Sequence, residues 1–198
     1  IKGAAQSQLS QLGQFGALEA AAPVLGPTLT PTPDAAQMLA DAQAAQAAGS
    51  YSEAIDLYRA VQELDPNNVE PSFQAARLLI YLAALESGER RDSLLEDARK
   101  AADRAILADP ERPEGYAIAG KVMNWQGNTE ESLNQVRLAI QIDGEYAVAH
   151  SYLAETQIDL DRWDEALESI QLALSLDPSS ADIRRDYGYV LESLGDYA

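Results

Sequence analysis

Acidic side chains are the residues of this chain that could do chemistry. There are 32 Asp and Glu against 14 Lys and Arg, one His and no Cys. Two carboxylates facing one bond could hydrolyse a glycoside, one as acid and one as base or nucleophile. Carboxylates spaced along a tight loop could bind calcium. The best loop candidate begins at Asp159-Leu160-Asp161, and it fails. Trp163 and Asp164 stand where a ligand and a Gly are needed, and Ile170 replaces the closing Glu. A lone His150 without any Cys does not make a zinc site. No nucleophile elbow, P-loop or dinucleotide fingerprint occurs. The expectation is no enzyme, no cofactor and no metal.

The elements that carry the carboxylates explain them better. Four helix ends read alike: Leu64-Asp65-Pro66, Ala108-Asp109-Pro110, Ile142-Asp143-Gly144 and Leu176-Asp177-Pro178, spaced 44, 34 and 34 residues apart. A second signal recurs inside each unit: Gly49-Ser50-Tyr51, Gly127-Asn128-Thr129, Asp161-Arg162-Trp163 and Gly195-Asp196-Tyr197. Gly or Asp there suits a left-handed helix stop. The aromatic two residues on, Tyr51, Trp163 and Tyr197 with Thr129 the exception, can pack into the hairpin, and Pro blocks continuation into the next unit. Small residues at 54, 98, 132 and 166 let paired helices approach. Ser50 with Glu53, and Asn128 with Glu131, have capping-box spacing. Glu53, Asp97, Glu131 and Glu165 share one repeat position, expected in a first helical turn where carboxylates favour the dipole.

These registers resemble the tetratricopeptide repeat over 35–198. Repeats fall at 35–68, 69–112, 113–146 and 147–180, with a half repeat over 181–198. The family's small residue at position 8 lands on Ala42, Ala76, Gly120, Ala154 and Gly188, and position 27 on Val61, Ala105, Ala139 and Ala173. Trp at position 4 is missing: Met38, Ser72, Tyr116, His150 and Arg184 stand there, and His150 is expected as a packed core residue. The second repeat carries ten extra residues around 86–93, expected to extend its hairpin. The resemblance implies an all-α, right-handed superhelical solenoid of antiparallel helix pairs.

It also implies a concave face built from the first helices, at positions 2, 5, 6, 9, 12 and 13. The residues there gather Phe73, Arg77, Tyr81, Lys121, Asn124, Trp125, Tyr152, Glu155, Arg185 and Tyr189. Aromatics and Arg give large contact area at low entropic cost. The expected function is a non-enzymatic scaffold that seats a peptide or protein segment, with Arg77 and Lys121 holding a carboxylate. The alternatives are a structural subunit of a larger assembly, or the accessory domain of an enzyme. The family's clamp for terminal carboxylates finds Leu39, Gln43, Gln74, Glu114 and Ile118 at its positions, so that mode is not expected.

The net charge of −18 argues against nucleic acid and against anionic lipid as partners. No run of 18 apolar residues is present, so no membrane insertion is expected within the chain. Residues 1–33 carry only Lys2 and Glu19, so the whole charge falls on 34–198. A short helix over about 5–22 is expected from Leu9, Leu12, Phe15 and Leu18, followed by a Thr-Pro spacer up to Pro33. Such a leader resembles the link between a membrane anchor and an exported bacterial domain; a cytoplasmic adaptor is the alternative. The apolar stripe Ile183, Tyr187, Val190, Leu191 and Leu194, with the restart at Gly195-Asp196-Tyr197-Ala198, suggests that more repeats follow.

Overall fold

The structure, a computed structural model, describes residues 34–195. The chain divides into two units, Ile1–Thr32 and Pro33–Ala198. The leader helix, the spacer and the restart beyond Gly195 lie outside the described residues.

The apolar and small residues recur at helical spacing, and nine α-helices result among the described residues. They are α1 (Ala35–Ala47), α2 (Tyr51–Leu64), α3 (Val69–Ala84), α4 (Gly88–Ala108), α5 (Pro113–Trp125), α6 (Thr129–Ile142), α7 (Ala147–Asp159), α8 (Trp163–Leu176) and α9 (Ala181–Ser193). Consecutive helices pair as antiparallel hairpins, and α3, α5, α7 and α9 also stack on one another in sequence. One layer is therefore made of first helices, and α2, α4, α6 and α8 back it.

The shared core sits between the layers at the repeat positions read from the sequence. Ala42, Ala76, Ala154, Ala54, Ala98, Ala166, Ala105, Ala139 and Ala173 are all inaccessible to solvent. Larger side chains, Tyr58, Ile118, Val136 and Ile170, fill the space they leave. Where Ser132 replaces Ala, its hydroxyl finds Thr156 Oγ1 at 2.9 Å, and Thr156 donates to Tyr152 O at 2.9 Å, so the buried polar atoms are satisfied. His150 is buried, with Nε2 2.9 Å from Gly144 O.

The ten extra residues lengthen one hairpin. Helix α3 has 16 residues against 13 in α1, α5, α7 and α9, and α4 has 21 against 14 in α2, α6 and α8. The extra three and seven residues account for the insertion. Asp97 is consequently not in a first turn: α4 begins at Gly88, and Asp97 instead accepts from Arg59 at 3.1 Å and from Lys100 at 3.3 Å.

Capping departs from the sequence expectation. Ser50 and Asn128 make no side-chain cap bond. Their ψ values are near 61°, whereas the extended caps Asp34, Asn68 and Ser180, with ψ of 114–119°, do bond the helix start. Inside a hairpin the chain turns too tightly for the capping-box geometry. Gly49, Gly127 and Gly195 adopt positive φ at the stops, and Asp161 takes the same conformation at φ 58°. Asp161→Gly removes the Cβ cost and is expected to raise the unfolding free energy by about 0.5–1 kcal/mol, read by urea denaturation.

Candidate functional site

The exposed side of the first-helix layer is concave, and it encloses a cavity of about 1090 Å³. All ten residues singled out from the repeat register line this cavity. The spacing explains the convergence. Phe73, Arg77 and Tyr81 recur every four residues and share one face of α3. Lys121, Asn124 and Trp125 share a face of α5 in the same way, Tyr152, Glu155 and Asp159 one of α7, and Arg185 and Tyr189 one of α9.

The ten differ in what they offer. Phe73 and Tyr152 are buried and fill space between repeats. Tyr81 and Tyr189 are 45% and 44% exposed and present aromatic surface to the opening. Trp125 is half-buried. Tyr81 packs edge-on against Tyr51, ring centroids 5.0 Å apart.

The floor is a charged network. Lys121 and Glu155, only 9% and 8% exposed, form an ion pair between α5 and α7. The Lys121 ammonium also lies 4.7 Å from the centre of the Tyr152 ring. Burial pushes the Glu155 carboxyl above the usual carboxylate range, with Lys121 pulling the other way. Burial works against the Lys121 ammonium, but Glu155, Asp186 and Tyr152 together hold its pKa above the ordinary lysine value. Arg185 donates to Asp182 at 2.9 Å and to Asp186 at 3.2 Å, and Ser151 donates to Asp186 at 2.7 Å. Arg77 pairs with Asp182, donates to Gln74 at 3.0 Å and lies 5.7 Å from the Phe73 ring centre. Asn124 Nδ2 donates to Asp159 at 2.6 Å, while its buried Oδ1 has no partner among the described residues.

Arg77 and Lys121 are therefore not the free cations that the sequence suggested. Each has a carboxylate from its own chain, Asp182 and Glu155. The second pair is readable in the repeat: Glu155 occupies on α7 the position that Lys121 occupies on α5, 34 residues earlier. Asp182 and Asp186 stand at concave positions 2 and 6 of the half repeat, so the register contained them. Arg91 had no such signal, because the insertion takes it out of register. It belongs to α4, yet it lines the cavity, donates to Trp125 O at 2.9 Å and sits 5.9 Å from the Trp125 ring centre.

Three of the four recurrent helix-end carboxylates bond the backbone of their own turns. Asp109, Asp143 and Asp177 each accept from the backbone N–H two residues on, at 3.0, 2.9 and 3.1 Å. Among the described residues no group of three or more His, Asp or Glu could hold a metal ion, and no helix is long and apolar enough to cross a membrane.

Paired helices stacked at this repeat length, with first helices lining a groove, define the tetratricopeptide-repeat solenoid fold. Comparison with known proteins agrees. A thermophilic TPR protein from Thermus thermophilus superposes with a TM-score of 0.68 at 20% identity, over 80% of this chain and 82% of that one. MamA from Desulfovibrio magneticus RS-1 gives 0.53 at 18% identity, over 83% and 88%. YrrB, described as a TPR protein with an unusual peptide-binding site, gives 0.50 at 16% identity, over 82% and 79%. At these identities the likeness is one of fold. A DnaJ homolog subfamily C member 7 homolog from Schizosaccharomyces pombe is 26% identical over 144 residues, 70% of this chain. The match spans only 30% of the length of that relative. No family model matches the chain.

Proposed function

We propose that this chain is a non-enzymatic interaction scaffold whose concave groove seats a peptide or protein segment. The observation that carries this reading is the convergence on one cavity of ten aromatic, charged and amide residues that stand at concave positions of the repeat register. The peptide-binding site named for YrrB is in keeping with it. Four cations (Arg77, Arg91, Lys121, Arg185) and four carboxylates (Glu155, Asp159, Asp182, Asp186) line the groove, so its charge cancels within an acidic protein. Affinity then rests on Tyr81, Trp125 and Tyr189, the first-helix aromatics of the cavity that retain accessible surface. Their backbone is fixed by the helix stack, so little ordering cost falls on the scaffold when it binds.

The test is selection of displayed random peptides on the wild-type chain. Tyr81→Ala, Trp125→Ala and Tyr189→Ala are each expected to weaken the selected peptides about tenfold or more, as buried anchors do. Selection that enriches nothing, or peptides indifferent to all three changes, would overturn the groove reading.

A further inference from the structure

Three of the four cations in the groove spend their charge on carboxylates of the same chain. Arg91 does not. Among the described residues its only polar partner is the Trp125 carbonyl, reached by Nη2, and no carboxylate lies within ion-pair distance. A neutral carbonyl leaves the guanidinium's charge uncompensated and leaves Nε and Nη1 as unused donors. Contact with the Trp125 ring and the carbonyl bond hold the side chain over the groove, so a planar fork is presented with little rotamer freedom left to lose. The same cavity is lined by Tyr81 and Trp125, which occupy the same repeat position on neighbouring first helices, and by Tyr51 packed on Tyr81.

We infer that this end of the groove reads an acidic side chain of the bound segment, an Asp or Glu whose carboxylate takes the free edge of Arg91. An apolar or aromatic residue next to it in the segment lies against Tyr81 and Trp125. The inference rests on the groove reading and names the chemistry of its occupant. A side-chain carboxylate, rather than a chain terminus, is favoured because Leu39, Gln43, Gln74, Glu114 and Ile118 include none of the converging cations that a clamp for a terminal carboxylate uses. Lys121, Arg77 and Arg185 are already paired with carboxylates carried by α7 and α9, so a second acidic residue gains nothing from them. The groove thus has a direction: the acidic residue of the segment points towards the α3–α4 hairpin.

The experiment uses the peptides selected on the wild-type chain. They are expected to share an Asp or Glu at a fixed offset from an apolar or aromatic residue. Exchanging that acid for its amide, or making Arg91→Gln, is expected to weaken binding about tenfold, and the two together no more than either alone. Selection on Arg91→Glu is expected to place Lys or Arg at the same offset. Amidation of the peptide C-terminus is expected to change nothing; loss of binding there would assign the carboxylate to the terminus and overturn the inference. Peptides that lose affinity with Tyr81→Ala but ignore every Arg91 change would overturn it while leaving the groove reading intact. Peptides that ignore both would overturn both. Equal thermal midpoints for the wild type and Arg91→Gln separate lost recognition from lost folding.

Discussion

Replacing Lys121 by methionine is expected to lower the unfolding free energy by about 3–5 kcal/mol near neutral pH. The change removes the ammonium but leaves Glu155 where it is, buried between α5 and α7 with Asp186 close by. A carboxylate stripped of its partner must stay charged without compensation or take up a proton. The sign of the pH dependence follows. Burial already raises the Glu155 pKa above its unfolded value, so folding favours the protonated acid. That contribution is complete below the unfolded carboxylate pKa and is lost as pH rises through the higher folded value. Without Lys121 the folded value climbs further, so the deficit of the variant is full at neutral pH and shrinks as pH falls. Lys121 behaves in the same sense at the other end of the scale: its folded pKa is raised, so its stabilisation holds below the ordinary lysine value and fades above. The double change Lys121→Met with Glu155→Leu is expected to recover most of the loss, since apolar groups of similar volume need no compensating charge. Urea denaturation at neutral and mildly acidic pH measures each quantity. A single-variant deficit below about 1 kcal/mol at neutral pH would mean that water reaches the pair.

The second large effect concerns two glycines in helices, for which helix propensity expects the same outcome and packing the opposite one. Alanine in place of a helical glycine gains about 0.5–1 kcal/mol of propensity. At Gly188 a Cβ would meet nothing within 4 Å, so Gly188→Ala is expected to raise stability by about that amount. At Gly115 the same Cβ would lie 2.7 Å from Ile106 N, 2.9 Å from Ile106 Cα and 3.0 Å from Ala105 C. These are backbone atoms of α4 and cannot rotate away, so α4 and α5 must separate. Gly115→Ala is expected to cost about 2–3 kcal/mol, the upper part of the range for overpacked cores. Gly120 is the intermediate case: the nearest neighbour of an added Cβ, Val136 Cγ2, belongs to a side chain, but Ser132 O follows at 3.1 Å. Chemical denaturation of the Gly115 and Gly188 variants gives shifts of opposite sign; a stabilised Gly115→Ala would show that the hairpin can give.

Much of this architecture was legible because a repeat writes the same physical demand several times. One Ala proves nothing, but Ala42, Ala76 and Ala154 in register state that two helices meet there. The same logic placed Tyr81, Trp125 and Tyr189 around one groove. What stayed hidden was pairing between repeats that are not neighbours. Asp182 reaches Arg77 over a separation that no local pattern records, and Arg91 enters the groove through an insertion that the register skips. Capping misled for a related reason. The spacing of Ser50 and Glu53 is right for a capping box, but the tight turn of the hairpin fixes ψ of Ser50 near 61°, and only backbone geometry knows that.

The Arg77–Asp182 pair has a mechanical meaning. Its partners are 105 residues apart, and it ties α3 to α9 across the opening. Both side chains are partly exposed, 29% and 44%, and such a pair contributes about 1 kcal/mol at most. The remaining helix contacts join neighbours in the stack, so small rotations between repeats add along its length. A coil of this kind, closed among the described residues by one weak clasp, is expected to behave as a soft spring. If the groove seats a segment as proposed, the aperture would follow the girth of that segment while each hairpin keeps its own core intact.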